Sequence, residues 1–491
     1  MNSFGYGTVI LAISGLPNGV AVSSLPWTAK PQYDSSTPEA VVKVDDLKKQ
    51  LRGTVLLPGS EEYEASRRIW NAMIDRRPRA IVCCSGPADV QAAVRFAAQE
   101  EIYPAIRGGG HNAAGLAMLD DGLVIDVSRM KGIFVEPAAR TVTVQTGLTW
   151  GEFDRETHVH GLATTGGLIS TTGIAGLTLG GGVGWLMGRC GLVCDNTLSY
   201  DVVLASGEVA RANTSENADL FWALKGGGGN FGVVTSITYR MYPIQEVLSG
   251  LLLYPLSAAR EVLKFYRDFT SGGIPDELTM YAAALCAPDG VPVVALIPAW
   301  CGEIEEGERV LKPVRTFESP IADLITRMPY PAMQQMIDGV APFGLRSYWK
   351  SQFLRELTDE TIEQFVAFAE TSVSPRSIAI LEHAHGAVAR VPDDATAFPT
   401  RSAPYDLAVI GLWTNADDDQ ANITWTRRFH SAMERWSTHL VYVNALDQDD
   451  VDRIPEAYGP NYKRLCEVKA KYDPENRFRR NQNIRPLVDA H

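Results

Sequence analysis

Apolar positions recur with two spacings along this chain, and each spacing predicts a different element. Residues 80–84 (AIVCC) form a short apolar run that reads as a strand. Ser85, Pro87 and Asp89 then open a helix with Val90, Val94, Ala97 and Ala98 on one face. Ile102 to Ile106 reads as the next strand and runs directly into three glycines. Further strands are expected at 123–127 (LVIDV) and 141–146 (TVTVQT), and 233–241 alternates as a half-buried strand should. Residues 45–75 read as helical and end in the basic stretch Asp75-Arg-Arg-Pro-Arg79. Beyond Pro243 the glycine clusters cease, and 246–440 mixes strands with amphipathic helices. Residues 440–444 (LVYVN) read as a strand, and Leu465, Val468 and Tyr472 mark a helix stopped by Asp473-Pro474. Residues 1–40 are polar and dotted with proline, an irregular lead-in.

Composition narrows the class. The chain has 491 residues, 45% hydrophobic and 21% charged, as a soluble globular protein of two or three domains would. A formal net charge of −13 repels phosphate backbones, so neither nucleic acid nor a membrane is an expected partner. No apolar run reaches the roughly 18 residues of a membrane span. Residues 7–16 are apolar, but no Lys or Arg precedes them and Gly15, Pro17 and Gly19 interrupt the stretch. A cytoplasmic location is therefore expected, with secretion as the alternative. Seven irregularly spaced cysteines, an odd number, read as free thiols in a reducing compartment. No second pair or nearby histidine completes a zinc site around Cys190 and Cys194, and no metal is expected.

Chemistry concentrates in three glycine clusters. In Arg107-Gly-Gly-Gly-His111, glycines directly after a strand let several N–H groups approach one point, which suits a pyrophosphate. His111 stands at the exit of that loop. Taken alone, the motif also fits a plain glycine turn followed by a polar histidine. The second cluster, Gly173 to Gly184, lacks the Gly-Lys-Ser/Thr of an NTPase loop and the glycine spacing of a dinucleotide fingerprint. Leucines and a valine between its glycines point to a packed segment rather than a flexible loop. The third, Lys225-Gly-Gly-Gly-Gly-Asn230-Phe-Gly232, leads into the alternating strand. Three such loops at strand ends are hard to explain as independent turns.

These motifs, in this order, resemble a known family. RGGGH (107–111), LVIDVSRM (123–130), TGIAGLTLGGGVGW (172–185), GLVCDN (191–196) and DLFWALKGGGGNFGVVT (219–235) resemble the FAD domain of the vanillyl-alcohol oxidase / p-cresol methylhydroxylase superfamily. The tail 442–484 is similar to that of the berberine bridge enzyme branch. The resemblance spans roughly 45–485 and implies a two-lobed α+β fold. An FAD-binding domain would occupy 41–245 and return at 441–491. A substrate domain at 246–440 would cover the flavin with an antiparallel sheet.

The resemblance also implies roles. His111 matches the histidine bonded to the flavin, and Ile169 stands where many relatives have a second, cysteinyl bond, so FAD attached through His111 only is expected. Arg107, Gly108, Gly109, Gly110, Asn112, Gly115, Thr172, Gly173, Gly176, Leu177, Gly180, Gly181, Gly182, Gly232, Val234, Asn481 and Asn483 would surround the cofactor, with Thr172 at the oxygen-gate position. Tyr442 and Asn444 match a Y-x-N motif; two apart on a strand, both would face the flavin, and Tyr442 would take a substrate proton. A core tyrosine with a satisfied hydroxyl is the plainer reading. Ala445 stands where a second tyrosine is common. Tyr348, Lys350, His385 and Trp413 are candidates for contact with substrate. The implied activity is hydride removal from a small molecule with dioxygen as acceptor, giving hydrogen peroxide, by a monomer or homodimer. A dehydrogenase with another acceptor, a non-redox cyclase or isomerase, and a binding protein with a vestigial site are the rivals.

Overall fold

A computed structural model describes residues 38–287 and 289–487. The apolar run 7–16 and most of the lead-in lie outside the described residues; Pro38–Gln50 is a helix. The remainder of 45–75 is not the continuous helix expected. Leu57-Pro58-Gly59 breaks it into a strand, β1 (Thr54–Leu56), and a short helix, Glu61–Ser66.

The first sheet adds β2 (Ala80–Cys83), β3 (Ala105–Arg107) and β4 (Leu123–Asp126) in the order β1-β2-β4-β3. β2 and β3 both run parallel to β4, and helix Pro87–Gln99 makes the crossover between them. Every residue of β2 and β4 is buried, as in a parallel sheet covered on both faces. Asp89, in the first turn of that helix, accepts from the backbone N–H groups of Arg52, Gly53 and Ser85 and ties the strand ends together.

Five antiparallel strands form the second sheet, β5-β6-β10-β8-β9. They are β5 (Ile133–Glu136), β6 (Thr141–Gln145), β8 (Thr197–Val203), β9 (Val209–Ala212) and β10 (Val233–Arg240). Between and after them, β7 (Leu162–Ala163) pairs with β11 (Tyr242–Pro243).

The third sheet is antiparallel throughout, with nine strands. They are β12 (Glu246–Ser249), β13 (Leu252–Pro255), β14 (Leu278–Cys286), β15 (Pro292–Trp300), β16 (Ala322–Asp323), β17 (Thr326–Pro329), β18 (Arg346–Leu354), β19 (Ile378–His383) and β20 (Tyr405–Trp413). Its order is β16-β13-β15-β14-β19-β20-β18, with β12 between β15 and β17. Helices Ala259–Ser271, Asp359–Ala369 and Asp419–Met433 supply Leu263, Tyr266, Phe365 and Phe429 to a core with Ala282, Leu296, Leu381, Leu407 and Val409 on one face. Side chains alternate across a strand, so the neighbouring residues point to the opposite face, which roofs a cavity. The fold is the α+β type expected. Among the described residues no helix is long and apolar enough to cross a membrane.

Candidate functional site

The cavity, of about 380 Å³, lies where the three glycine clusters meet the roof sheet. Its first wall is the loop after β3. Gly108, Gly109, Gly110, His111 and Asn112 all line it, at the carboxyl end of a parallel strand, where such folds place ligands. A Cβ on Gly109 would lie 2.5 Å from the backbone nitrogen of Gly173, so the first two glycine loops touch backbone to backbone. Gly110 has φ +65°, a conformation that favours glycine. Arg107 does not reach the cavity. Its guanidinium pairs with Asp126 at 3.0 Å and hydrogen-bonds the Ser66 carbonyl, which pins the strand end. Gly115 is also elsewhere: a Cβ there would collide with Ile74.

The imidazole of His111 stacks on Trp70, with ring centroids 4.8 Å apart and planes 22° apart. Trp70 donates its indole N–H to the Ala341 carbonyl at 3.0 Å and meets Trp349 of β18 edge-on at 5.7 Å. Burial pushes the imidazole pKa down to about 4, so the ring is neutral at pH 7. Its Nε2 is buried with no hydrogen-bond partner.

Thr172, Gly173, Gly176 and Leu177 form the second wall, together with Ile169. Gly180, Gly181 and Gly182 do not line the cavity. They admit neighbours instead: a Cβ would lie 2.1 Å from Oδ1 of Asn444 at Gly180, 2.5 Å from Phe398 at Gly181 and 2.4 Å from Val193 at Gly182. The third wall is Gly228, Gly229, Gly232 and Val234, zipped to the C-terminal tail. Asn230 donates to the Gly227 carbonyl at 2.8 Å and the Gln482 carbonyl at 3.1 Å, and accepts from the Ile484 N–H at 2.9 Å. Lys469, wholly buried, donates to the carbonyls of Asn230 and Phe478 and pairs with buried Asp473 at 2.6 Å. Asn481 and Gln482 line the cavity; Asn483 does not.

Tyr442 and Asn444 reach the cavity by a different backbone from the one expected. Val443–Ala445 is a single 3₁₀ turn, closed by the Ala445 N–H on the Tyr442 carbonyl, and not part of a strand. The turn still joins the two side chains: Asn444 donates to the Tyr442 hydroxyl oxygen at 2.8 Å, and the Gly182 N–H donates to the same oxygen at 3.1 Å. Burial nevertheless raises the phenol pKa well above its ordinary value, outweighing these hydrogen bonds and leaving Tyr442 protonated.

The roof corrects the substrate candidates by one residue. Ala283 and Leu285 of β14, Ile297 of β15, Trp349 of β18, Ile378, Ile380 and Glu382 of β19, and Asp406, Ala408 and Ile410 of β20 face the cavity. Tyr348, Lys350 and Trp413 have the opposite parity and do not line it. Tyr348 and Lys350 bond Asp449 at 2.6 and 2.8 Å, and Trp413 bonds Asp419 at 2.7 Å. His385 lies beyond β19, with Nε2 2.7 Å from the Leu278 carbonyl and its ring stacked on His383, away from the cavity. Among the described residues no three metal-ligating side chains cluster.

Sequence patterning missed Trp70, Trp349, Glu382 and Asp406. Glu382 and Asp406 are direct cross-strand partners, both buried and both facing the cavity. Burial raises the pKa of each, and the charge of Glu382 raises Asp406 further.

Residues 78–213 match the FAD binding domain family, and 441–485 match the family described as berberine and berberine like. An FAD-linked oxidoreductase of Dictyostelium discoideum is 32% identical over 448 residues, covering 90% of this chain and 97% of that protein. The chain belongs to the berberine bridge enzyme-like FAD-linked oxidoreductases. (R)-6-hydroxynicotine oxidase of Paenarthrobacter nicotinovorans is 27% identical across 89% of this chain and 97% of its own length. The structure of 6-hydroxy-D-nicotine oxidase from Arthrobacter nicotinovorans superposes with a TM-score of 0.82 at 26% identity, covering 89% and 98% of the two chains.

The walls fit the FAD of this oxidoreductase family. Gly176 and Gly229 face the cavity, and a Cβ at either would meet no heavy atom within 4 Å, so backbone lies open to a ligand. Buried polar atoms without partners, Oδ1 of Asn481 and Nε2 of Gln482, line the same space. Groups of this kind occur where a polar ligand satisfies them.

Proposed function

We propose that this oxidoreductase holds its FAD through one covalent bond to His111 and removes hydride from a small organic molecule at an alcohol, amine or activated C–H carbon. Dioxygen is then the final acceptor, giving hydrogen peroxide. On this reading 41–245 and 441–491 form the FAD-binding domain, and 246–440 forms the substrate domain. The observation that carries it is a neutral imidazole at the end of a glycine loop, lining the cavity with its Nε2 buried and unpartnered. A nitrogen must be unprotonated to act as a nucleophile, and Trp70 holds this one in a single plane. Ile169 lines the cavity at the position where a thiol would make a second bond, which supports a single link.

When bound, FAD supplies a two-electron acceptor for the hydride and passes the electrons on to dioxygen. The chain's own residues do the rest. The roof presents isoleucines and alanines that exclude water from the reacting carbon. Tyr442, its oxygen already accepting two hydrogen bonds, is a neutral donor able to orient a substrate heteroatom. Thr172 borders the cavity at the gate position.

Acid precipitation tests the attachment: wild-type precipitate stays yellow, and His111→Ala releases its flavin or never binds it. A colourless wild-type precipitate refutes the covalent bond. Reoxidation by air in seconds, with peroxide formed, is expected of an oxidase; reoxidation over minutes would assign the electrons to another acceptor.

A further inference from the structure

Most of the cavity is walled in depth: helices back the roof sheet, and the C-terminal tail backs the third glycine loop. The segment 335–345, between the short helix Tyr330–Gln334 and β18, is different. Its residues Ile337, Val340 and Ala341 line the cavity, while Gly339, Phe343 and Gly344 face solvent, Phe343 with 61% exposure. One thickness of chain therefore separates the cavity from water there.

The two ends of this segment are held unequally. Its C-terminal end is fixed at several points around Trp70. The Ala341 carbonyl accepts from the indole N–H at 3.0 Å, and the Gly344 N–H donates to the Trp70 carbonyl at 3.1 Å. The Leu345 carbonyl accepts from the Ala72 N–H at 2.9 Å. Residues 335–340 are held by one side chain. The Asp338 carboxylate accepts from the Ser170 N–H at 2.8 Å and from its hydroxyl at 2.5 Å. Among the described residues no other hydrogen bond ties 335–340 to a different part of the fold; the rest close local turns, such as Val340 N–H on the Ile337 carbonyl. Ser170 follows Ile169 of the second wall, so the seam between Asp338 and Ser170 opens on the cavity. A Cβ on Gly339 or Gly344 would meet no heavy atom within 4 Å, so the chain has room to turn at both.

We propose that 335–340 is the lid through which small molecules enter the cavity, and that Asp338 is the latch that holds it on Ser170. This rests on the reading above, in which the cavity takes a small organic substrate. Opening parts two hydrogen bonds, whose partners water then satisfies, and leaves the Trp70 end anchored. The stack of Trp70 on His111 is therefore undisturbed while the lid moves. Closing returns Ile337 and Val340 to the cavity wall and holds Ser170 against the lid, beside Ile169 and Thr172. Asp338 is thus a positioning residue: it sets the fraction of time for which the cavity is open. The inner face of the lid is aliphatic, so the passage favours molecules that are largely apolar.

The test is the rate at which a thiol placed behind the lid is alkylated. Ala408 lines the roof, so Ala408→Cys in the FAD-loaded enzyme provides that thiol. The probe is N-ethylmaleimide, small and neutral, and mass spectrometry follows the peptide containing position 408. Adding Asp338→Ala is expected to speed alkylation about 10- to 100-fold, because labelling follows the open fraction and two hydrogen bonds to a charged group are lost. Ser170→Ala keeps the backbone N–H, and Asp338→Asn keeps one acceptor, so each is expected to fall between. Cys466, buried on the C-terminal helix, is the internal control and should label at an unchanged rate. Equal alkylation at position 408 in intact and unlatched enzymes, whether fast or absent, overturns the proposal. An equal acceleration at Cys466 also overturns it, since the fold as a whole would then have loosened. If Asp338→Ala does not fold, Ser170→Ala decides. Turnover plays no part in this measurement. A flavin that no small organic molecule reduces would refute hydride removal and leave the lid standing, and unlatched enzyme with unchanged labelling would refute the lid alone.

Discussion

The indole of Trp70 stacks on the imidazole of His111, with planes 22° apart, and restrains its rotation. Neither residue is adjacent to the other in sequence, and Trp70 is itself braced by Trp349 from the roof sheet. The roof therefore bears on His111 through one intervening ring. Removing that ring opens a cavity beside the imidazole and lets it rotate. Trp70→Ala is expected to lower the fraction of covalently bound flavin well below that of Trp70→Phe, which keeps a stacking face. Denaturing gels scanned for flavin fluorescence measure this. Loss of the large side chain also costs about 3–5 kcal/mol of stability, read as a fall in the unfolding midpoint. Equal covalent flavin in both variants would mean that Trp70 only fills space.

Burial holds the His111 pKa near 4 in the folded apoprotein, whereas the unfolded chain has the ordinary value of 6.5. Between those values the unfolded state binds the extra proton, so this residue's contribution is complete above about pH 6.5 and is lost progressively down to pH 4. Flavin-free wild type is therefore expected to lose more stability over that interval than flavin-free His111→Gln. Urea unfolding midpoints at pH 7, 5.5 and 4.5 check the difference. Parallel curves would place the imidazole in contact with water.

What was legible in the sequence follows from how local the constraint is. Gly109 and Gly173 are needed because two backbones touch, and a run of glycines announces such an approach without any knowledge of the rest of the chain. His111 was legible as the next residue along. The roof was not. In β18 and β20 both faces are largely covered, one by helices and one by the cavity wall, so alternation separates two sets without saying which is which. Tyr348 and Trp413 belong to one set; Trp349, Asp406 and Ile410 are the other. Tyr442 and Asn444 were legible as a pair, but the 3₁₀ turn that joins them depends on Gly180, more than 250 residues away in sequence, making room for Asn444.

Gly109 and Gly180 should respond differently to the same added methyl. At Gly109 the Cβ meets the backbone of Gly173, which cannot swing aside. Gly109→Ala is expected to abolish flavin binding or yield insoluble protein. At Gly180 the Cβ meets the amide end of Asn444, which can rotate away at the cost of its bond to Tyr442. Gly180→Ala is expected to stay folded and yellow while losing activity to the same degree as Asn444→Ala. An additive loss in the Gly180→Ala/Asn444→Ala double variant would show that the two act separately.

Tyr442 is a protonated phenol by burial, so its removal should not delete a titration from the rate profile. Tyr442→Phe is expected to lower kcat/KM by about 100-fold across pH 6–9 without changing the curve's shape. Disappearance of an ascending limb would instead identify Tyr442 as the base.

The buried pair of Lys469 and Asp473 shows how far from the cavity the site is built. Lys469 spends its three donors on Asn230, Phe478 and Asp473, and so joins the third glycine loop to the tail that carries Asn481 and Gln482. Lys469→Met leaves the Asp473 carboxylate buried without its cation, a loss of about 3–5 kcal/mol. Asp473 also accepts from the N–H groups of Arg477 and Phe478, so it cannot simply turn away. The variant is expected to unfold at markedly lower temperature and, even when folded in the cold, to bind FAD weakly because loop and tail separate. Lys469→Arg keeps the charge but not the compact ammonium, and is expected to recover little. Thermal unfolding with and without added FAD distinguishes the two contributions: a variant that regains wild-type stability on FAD addition would show that the pair serves the fold alone and leaves the cofactor cradle intact.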